Sequence, residues 1–307
     1  MKLARIALIG FGEAGSILGT DLAARGVRVR AYDLLSETAA GKQQLQAPAT
    51  QAGVQLCNSA AEACAEADLV ISAVTACAAL DVARQLAAQL RSGQLYLDIN
   101  SVAPTTKCTA AELVQTAGAG YIDAAVMAPV PPKRLGTPML LGGAQAETLA
   151  TALNALGCNT RAVADIVGTA AAIKMCRSVI IKGLEALTAE CLAAARQYGA
   201  ETEVLASLQQ SFPAMGWDGE LPDYLISRIA EHGRRRAEEM QEVSKTLADA
   251  GVTPHLSRAI ASSQRGLVDA MNLQDLRYSQ FVPFSWRDLF ARLYGSKPSP
   301  YGRGVNS

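Results

Sequence analysis

The sequence predicts an α/β protein: a doubly wound, mostly parallel sheet in residues 1–165, then an all-α domain in residues 166–307, joined by a long interdomain helix. Three observations carry this. Short apolar runs alternate with alanine-rich helical stretches as far as about residue 165, the pattern of β-α-β units. The first apolar run, "RIALIG", breaks at once into the glycines of "GFGEAG". Residues 168–199 carry no proline, and only helical patterning follows them.

Taken in order, "LARIALIG" and "VRVRAYD" read as the first two strands, each followed by a helical stretch. "ADLVISAV", "QLYLDIN", "YIDAAVM" and "PMLLGG" supply four more. In "VRVR", Arg28 and Arg30 alternate with valines and so line the polar side of an edge. The segment "GTAAAIKMCRSVIIKGLEALTAECLAAARQYG" is one helix, apolar on almost every face, with Gly199 as its stop. Lys174, Ser178 and Glu185 fall on one side of it, and Lys182 lies near enough to pair with Glu185. The plainer alternative makes these residues a solvated stripe. The tail "YGSKPSPYGRGVNS" is expected to be poorly ordered.

Composition narrows the function. Half of the 307 residues are apolar, and 28 basic side chains balance 28 acidic ones. No basic field points to nucleic acid or an anionic membrane surface. The apolar runs stop short of the ~20 residues a bilayer requires, and the N-terminus reads as a strand without the zones of a signal peptide. A cytoplasmic protein is expected. Cysteines 57, 64, 77, 108, 158, 176 and 191 form no C-x-x-C pair, so reduced, mostly buried thiols are expected. Cys176 points away from Lys174 at helical spacing. His232 and His255 are the only histidines, and no cluster has ligand spacing, so no metal is expected.

Glycine costs about 0.5–1 kcal/mol inside an element, so three in six positions need a reason. Gly10, Gly12 and Gly15 close a strand and open a helix, the context of a Rossmann-type dinucleotide loop. The first permits the tight turn, the second lets a pyrophosphate approach the main chain, and the third lets helix pack on strand. Phe11, Glu13 and Ala14 complete the loop, whose helix N-terminus favours the phosphates. Asp33 ends the second strand, where its carboxylate accepts from an adenosine ribose and repels a 2′-phosphate. Leu34 and Leu35 follow it, where an NADP site often places an arginine. The expected cofactor is NAD, with NADP as the alternative.

This order of motifs resembles the β-hydroxyacid dehydrogenase superfamily over nearly the whole chain. "SAVTACAALDVA" looks like the segment that borders the cofactor, which brings in Val74 and Thr75. "DINSVAP" resembles the Asp-x-Ser-Thr-x-x-Pro substrate motif and singles out Ser101. "GTAAAIKMCRS" resembles Gly-x-Gly-x-x-x-Lys-x-x-x-Asn, placing Lys174 on the catalytic lysine and Ser178 where the family has asparagine. The family's Ser-Gly-Gly carboxylate loop reads here Met127, Ala128, Pro129, and a later Lys-Asp-Leu segment reads "EEM" at 238–240. "GFGEAG", "VMAPVPP", "KMCRSVIIKGLEAL" and "RRRAEEMQEV" place the chain nearest a branch with phosphogluconate-dehydrogenase-like N-termini.

The resemblance implies an oxidoreductase acting on CH–OH, with a small-molecule substrate bound by Ser101, Met127, Ala128, Lys174 and Ser178. Lys174 would be the general acid/base, Ser178 would orient it, and Ser101 would hold the substrate hydroxyl. Arg177, about sixty degrees round the helix from Lys174, is a candidate anion contact or interface salt bridge. Arg234, Arg235 and Arg236 read as a solvated helix face with Glu238 and Glu239 in reach, one arginine facing the cleft being the alternative. Trp217, Tyr224, Tyr278 and Trp286 read as core or interface residues and, with Met127, would suit a less polar substrate. A thirty-residue helix that is apolar all round, in a domain of mostly short helices, implies a homodimer. Two alternatives are an imine or bulky-ketone reductase on the same architecture and a non-catalytic nucleotide-sensing protein.

Overall fold

In the computed structural model, eight strands form one sheet: β1 Arg5–Ile9, β2 Arg28–Tyr32, β3 Gln55–Leu56, β4 Leu69–Ser72, β5 Leu95–Asp98, β6 Gly120–Val126, β7 Pro138–Gly142 and β8 Asn159–Ala164. Their order across the sheet is β3-β2-β1-β4-β5-β6-β7-β8. All neighbours are parallel except β6 and β7. The helices are α1 Glu13–Ala24, α2 Ala39–Gln51, α3 Ala60–Cys64, α4 Ala79–Ala87, α5 Pro104–Thr116, α6 Val130–Lys133, α7 Ala146–Ala155, α8 Thr169–Gln197, α9 Glu201–Ser211, α10 Leu221–Asp249, α11 His255–Asn272 and α12 Trp286–Tyr294. The structure describes residues 1–295, so the tail expected to be poorly ordered lies, from residue 296, outside the described residues. The chain divides into two units, one ending at Cys176 and one beginning at Arg177.

In the first unit the central strands are buried on both faces, as crossover helices require. One core, with Leu8, Ile71, Leu97 and Leu141, covers one side of the sheet, and another, with Val70, Tyr96, Leu86 and Val114, covers the other. The strand order reverses between β1 and β4, which makes the crevice beyond their carboxyl ends the ligand position of such sheets. One row of the register there runs Tyr32, Ile9, Ser72, Asp98, Asp123, Gly142. Two strands escape the sequence pattern, β3 and β8. The two-residue β3 pairs with β2, so Arg28 and Arg30 do not lie on the sheet's edge strand.

The second unit packs a core of Trp217, Ile226, Ile229, Trp286 and Phe290. Its helices are not mostly short, since α10 has the same 29 residues as α8. Gly233 of α10 is where α11 crosses: a Cβ there would lie 2.3 Å from the Gln264 carbonyl oxygen. The solvated-stripe reading of α8 fails. Ser178, Lys182 and Glu185 are buried, whereas Ile180 and Leu187 are 65% and 68% exposed. Lys182 pairs with Glu239 at 2.7 Å rather than with Glu185. Glu185 takes both forks of Arg236 and a hydrogen bond from Gln264 Nε2 at 2.9 Å. Two distant helices outcompete the neighbour three residues along because burial demands a partner for every charge. Arg236 is therefore no part of a solvated face, although Arg235 does pair with Glu239 at i,i+4.

The cysteines also depart from expectation. All seven are free, but Cys77, Cys108, Cys176 and Cys191 are exposed and only Cys57 and Cys64 are fully buried. Burial pushes the Cys57 thiol up to about 11 and the Cys64 thiol to about 12, which leaves both inert at neutral pH. No helix among the described residues is long and apolar enough to cross a membrane.

Candidate active site

The glycine loop sits at the switch point, and its three glycines do different work. Gly10 has φ +95°, and a Cβ there would lie 2.3 Å from the Ala73 carbonyl oxygen beyond β4. At Gly15 a Cβ would meet the Gly10 carbonyl at 2.1 Å. Both are fixed by the fold. At Gly12 a Cβ would meet nothing within 4 Å, so the fold leaves that space free. Gly12 is also the N-cap of α1 and offers no side-chain acceptor to the first-turn N–H groups. Open space, unclaimed donors and a helix dipole suit a pyrophosphate. Glu13 and Gly12 are exposed, whereas the Phe11 ring is buried in the core.

Asp33 organises the loop before any nucleotide does. Its Oδ2 accepts from the Phe11 N–H at 2.7 Å and its Oδ1 from the Leu35 N–H at 2.9 Å. A carboxylate has about four acceptor sites, so both oxygens keep capacity for ribose hydroxyls. Beyond β4, the Val74 N–H donates to Asn100 Oδ1 at 2.7 Å, while Asn100 Nδ2 donates to Ser72 Oγ at 2.9 Å. Asn100 thus ties the ends of β4 and β5, a role that its place inside "DINS" does not announce. Thr75 is exposed, with Oγ1 3.1 Å from Cys77 Sγ.

Ser101 and Lys174 come together. The half-buried lysine donates to the Ser101 hydroxyl. Met127 and Ala128 are half-buried at the end of β6, and the Met127 N–H is spent on the Pro138 carbonyl at 2.9 Å. Ser178 lies one helical turn after Lys174, beyond the division at Cys176, and is buried. Arg177 is exposed. Among the described residues no group of three His, Cys, Asp or Glu side chains is placed to hold a metal. A surface groove of about 270 Å³ opens at the opposite, amino ends of β1 and β2, lined by Arg5, Arg28 and Arg30. Arg5 is already paired with Asp68 and Arg30 with Glu66, and none of the residues above reaches it.

Residues 5–168 match the NAD binding domain of 6-phosphogluconate dehydrogenase. The chain belongs to that family. Residues 195–267 match a domain of unknown function, DUF1932. The chain is similar to a solved conserved hypothetical protein of Sinorhizobium meliloti 1021, at 37% identity and a TM-score of 0.78, covering 95% of this chain and 96% of that one. It is also similar to a conserved protein of unknown function whose structure resembles 3-hydroxyacid dehydrogenases. That match has 32% identity and a TM-score of 0.71, and covers 88% and 98% of the two chains. The 3-hydroxyisobutyrate dehydrogenase of Pseudomonas aeruginosa is 28% identical over 219 residues, 69% of this chain and 71% of that protein. The first unit is accordingly an NAD-binding domain of the dehydrogenase kind.

For a member of this NAD-binding family the glycine geometry makes a graded prediction. Gly12→Ala should keep the unfolding midpoint, since the added methyl meets nothing, yet weaken NADH binding about tenfold or more. Gly10→Ala, strained and clashing, should lose both stability and binding. Thermal unfolding and NADH fluorescence titration measure the pair. Wild-type affinity in Gly12→Ala would show that the pyrophosphate does not approach there.

Proposed function

We propose that the protein catalyses reversible, NAD-preferring hydride transfer to and from a β-hydroxy acid or a related, less polar alcohol, with Lys174 as the proton acceptor and donor. The observation that carries this reading is the Lys174–Ser101 hydrogen bond, formed just past the strand ends that border the nucleotide loop. When bound, the nicotinamide accepts the hydride in oxidation and returns it in reduction. Ser101 would hold the alcohol oxygen, and the Lys174 amine would take the hydroxyl proton as the carbon–oxygen double bond forms. In reduction the ammonium gives that proton back. Ser178 would steady the same lysine from one turn along the helix.

The segment after β6 favours the less polar end of this substrate range. Met127 and Ala128 carry no hydroxyl, Met127 gives its N–H to Pro138, and Pro129 has none to give. That leaves a weak cradle for a carboxylate. It also keeps an imine or bulky-ketone reductase as the second reading, separated from the first by a paired screen of hydroxy acids, aryl alcohols, ketones and imines. A nucleotide-sensing protein would bind NADH and turn over none of them.

The cofactor preference rests on Asp33. Because Asp33 also holds the Phe11 amide, Asp33→Asn is the informative change: it keeps an acceptor and removes the charge. NAD should bind better than NADP to the wild type, and the gap should narrow in Asp33→Asn. A wild type that prefers NADP in paired titrations would show the strand end to be misread.

For the assembly we infer a homodimer through α8. Ile173, Ile180, Leu187 and Ala194 recur every seven residues on its exposed side, the spacing with which one helix packs along another. A second copy presents the same stripe and so satisfies it by two-fold symmetry. Sedimentation should give a dimer at micromolar concentration, and Ile180→Glu with Leu187→Glu should give a monomer. A wild-type monomer would refute the assignment.

The lysine itself is the sharpest test. Lys174→Ala should lower kcat by about 10²–10⁴-fold, the range of a positioned acid or base, with NADH affinity little changed. Lys174→Arg should fail almost as badly, since guanidinium does not give up its proton in proteins. Retained turnover in Lys174→Ala would make the lysine structural and favour the reductase reading.

A further inference from the structure

Behind Ser101 and Lys174 lies a fully buried ionic cluster that the chemistry above does not use. Asp98 and Asp123 are register partners on the parallel strands β5 and β6, and are 1% and 0% exposed. Two like charges side by side in a sheet repel. Lys107 of α5, 0% exposed, reaches both: its Nζ lies 2.8 Å from Asp98 Oδ1 and 3.6 Å from Asp123 Oδ1, and it donates to the Asp98 carbonyl at 2.7 Å. The Tyr121 hydroxyl donates to Asp98 Oδ2 at 2.7 Å. Burial, then the Asp98 charge, raises that phenol well above its ordinary value, so it stays a donor.

Each aspartate continues into one half of the candidate site. Asp98 Oδ1 accepts the Asn100 N–H at 2.9 Å and so shapes the turn that delivers Ser101. Asp123 Oδ2 accepts the N–H groups of Gly168 at 3.1 Å and Ala171 at 3.0 Å, the first turn of the helix that carries Lys174. That helix begins "GTAAA", with no acidic residue in its first turn, so β6 supplies the anion that its N-terminus favours. The second negative charge of the cluster is offset there. Gly168, at φ +93°, packs its Cα where a Cβ would lie 3.3 Å from Pro104 at the start of α5.

We propose that Lys107, Asp98 and Asp123 form a positioning bracket, one arm fixing the Ser101 turn and the other the start of α8, so that the Lys174 amine meets the Ser101 hydroxyl. A buried charge cluster is a poor source of stability, since apolar residues of like volume often do as well. What it supplies is a fixed relation between two segments about seventy residues apart in the chain, each bonded to a carboxylate held by one ammonium. The proposal rests on Ser101 and Lys174 being the reacting pair.

The test reads Lys174 directly. The full chain with NADH is trace-acetylated with acetic anhydride, and mass spectrometry gives acetylation at Lys174 relative to the exposed Lys2 and Lys133. In Asp123→Asn the Lys174 ratio should rise at least about threefold as the amine leaves Ser101, the population change that loss of one net hydrogen bond produces. Tyr121→Phe, which removes only an O–H, should move it the same way by about twofold, and serves if Asp123→Asn does not fold. On a substrate from the screen, kcat should fall more than KM rises, with NADH affinity retained. Unchanged Lys174 labelling in a folded, NADH-binding variant overturns the bracket, whatever turnover does. A labelling shift in a protein whose wild type turns over no substrate supports the bracket and removes the oxidoreductase reading instead.

Discussion

Two carboxylates buried side by side on neighbouring strands, Asp98 at the end of β5 and Asp123 midway along β6, set the terms for the rest of the first unit. Neither is tolerable alone in an apolar sheet, and together they would be worse. Their cost is met by one ammonium from α5, one phenol, and the amide N–H groups of two segments that must turn sharply at that point. The end of β5, the middle of β6 and the first turns of α5 and α8 thereby become one hydrogen-bonded object. Asn100 extends it to β4, and through the Val74 amide to the border of the nucleotide loop.

The glycine loop follows the opposite logic. There the fold removes side chains so that backbone can touch backbone, at Gly10 against Ala73 and at Gly15 against Gly10 itself. Once those approaches are made, Gly12 is left bare with space over it and a helix end beneath it. The site is built by packing on one side of the crevice and by charge on the other. Asp33 joins the two styles, since it anchors the Phe11 amide while keeping acceptor capacity.

This division explains what the sequence made legible. Gly10, Gly12, Gly15 and Asp33 stand in a local pattern whose spacing already states strand, loop and helix, whereas Ser101 and Lys174 were singled out by the resemblance of "DINSVAP" and "GTAAAIKMCRS" to family motifs. Asp98, Lys107 and Asp123 lie on three different elements, and nothing in any one segment says that they meet. The strands β3 and β8 were hidden for a related reason: Gln55–Leu56 is too short to show a period, and "NTRAVA" mixes polar and apolar residues at the sheet's far edge. Lys182 and Glu185 invited a local pairing at three residues' spacing, and tertiary partners from α10 overrode it.

The same override turns α8 inside out within the second unit. An apolar helix would ordinarily bury its leucines and isoleucines and show its charges. Here Lys182 and Glu185 face inward because Glu239, Arg236 and Gln264 wait for them, and each charge finds an opposite partner. Rotating the helix to bury Ile180 and Leu187 would carry those charges out of reach of their partners and leave Arg236 and Glu239 unpaired inside the unit, a loss larger than the apolar area would return. The polar interior therefore dictates the apolar exterior. With Lys182 and Glu185 answered inside the unit, α8 turns Ile180 and Leu187 outward, on a stripe that repeats every seven residues.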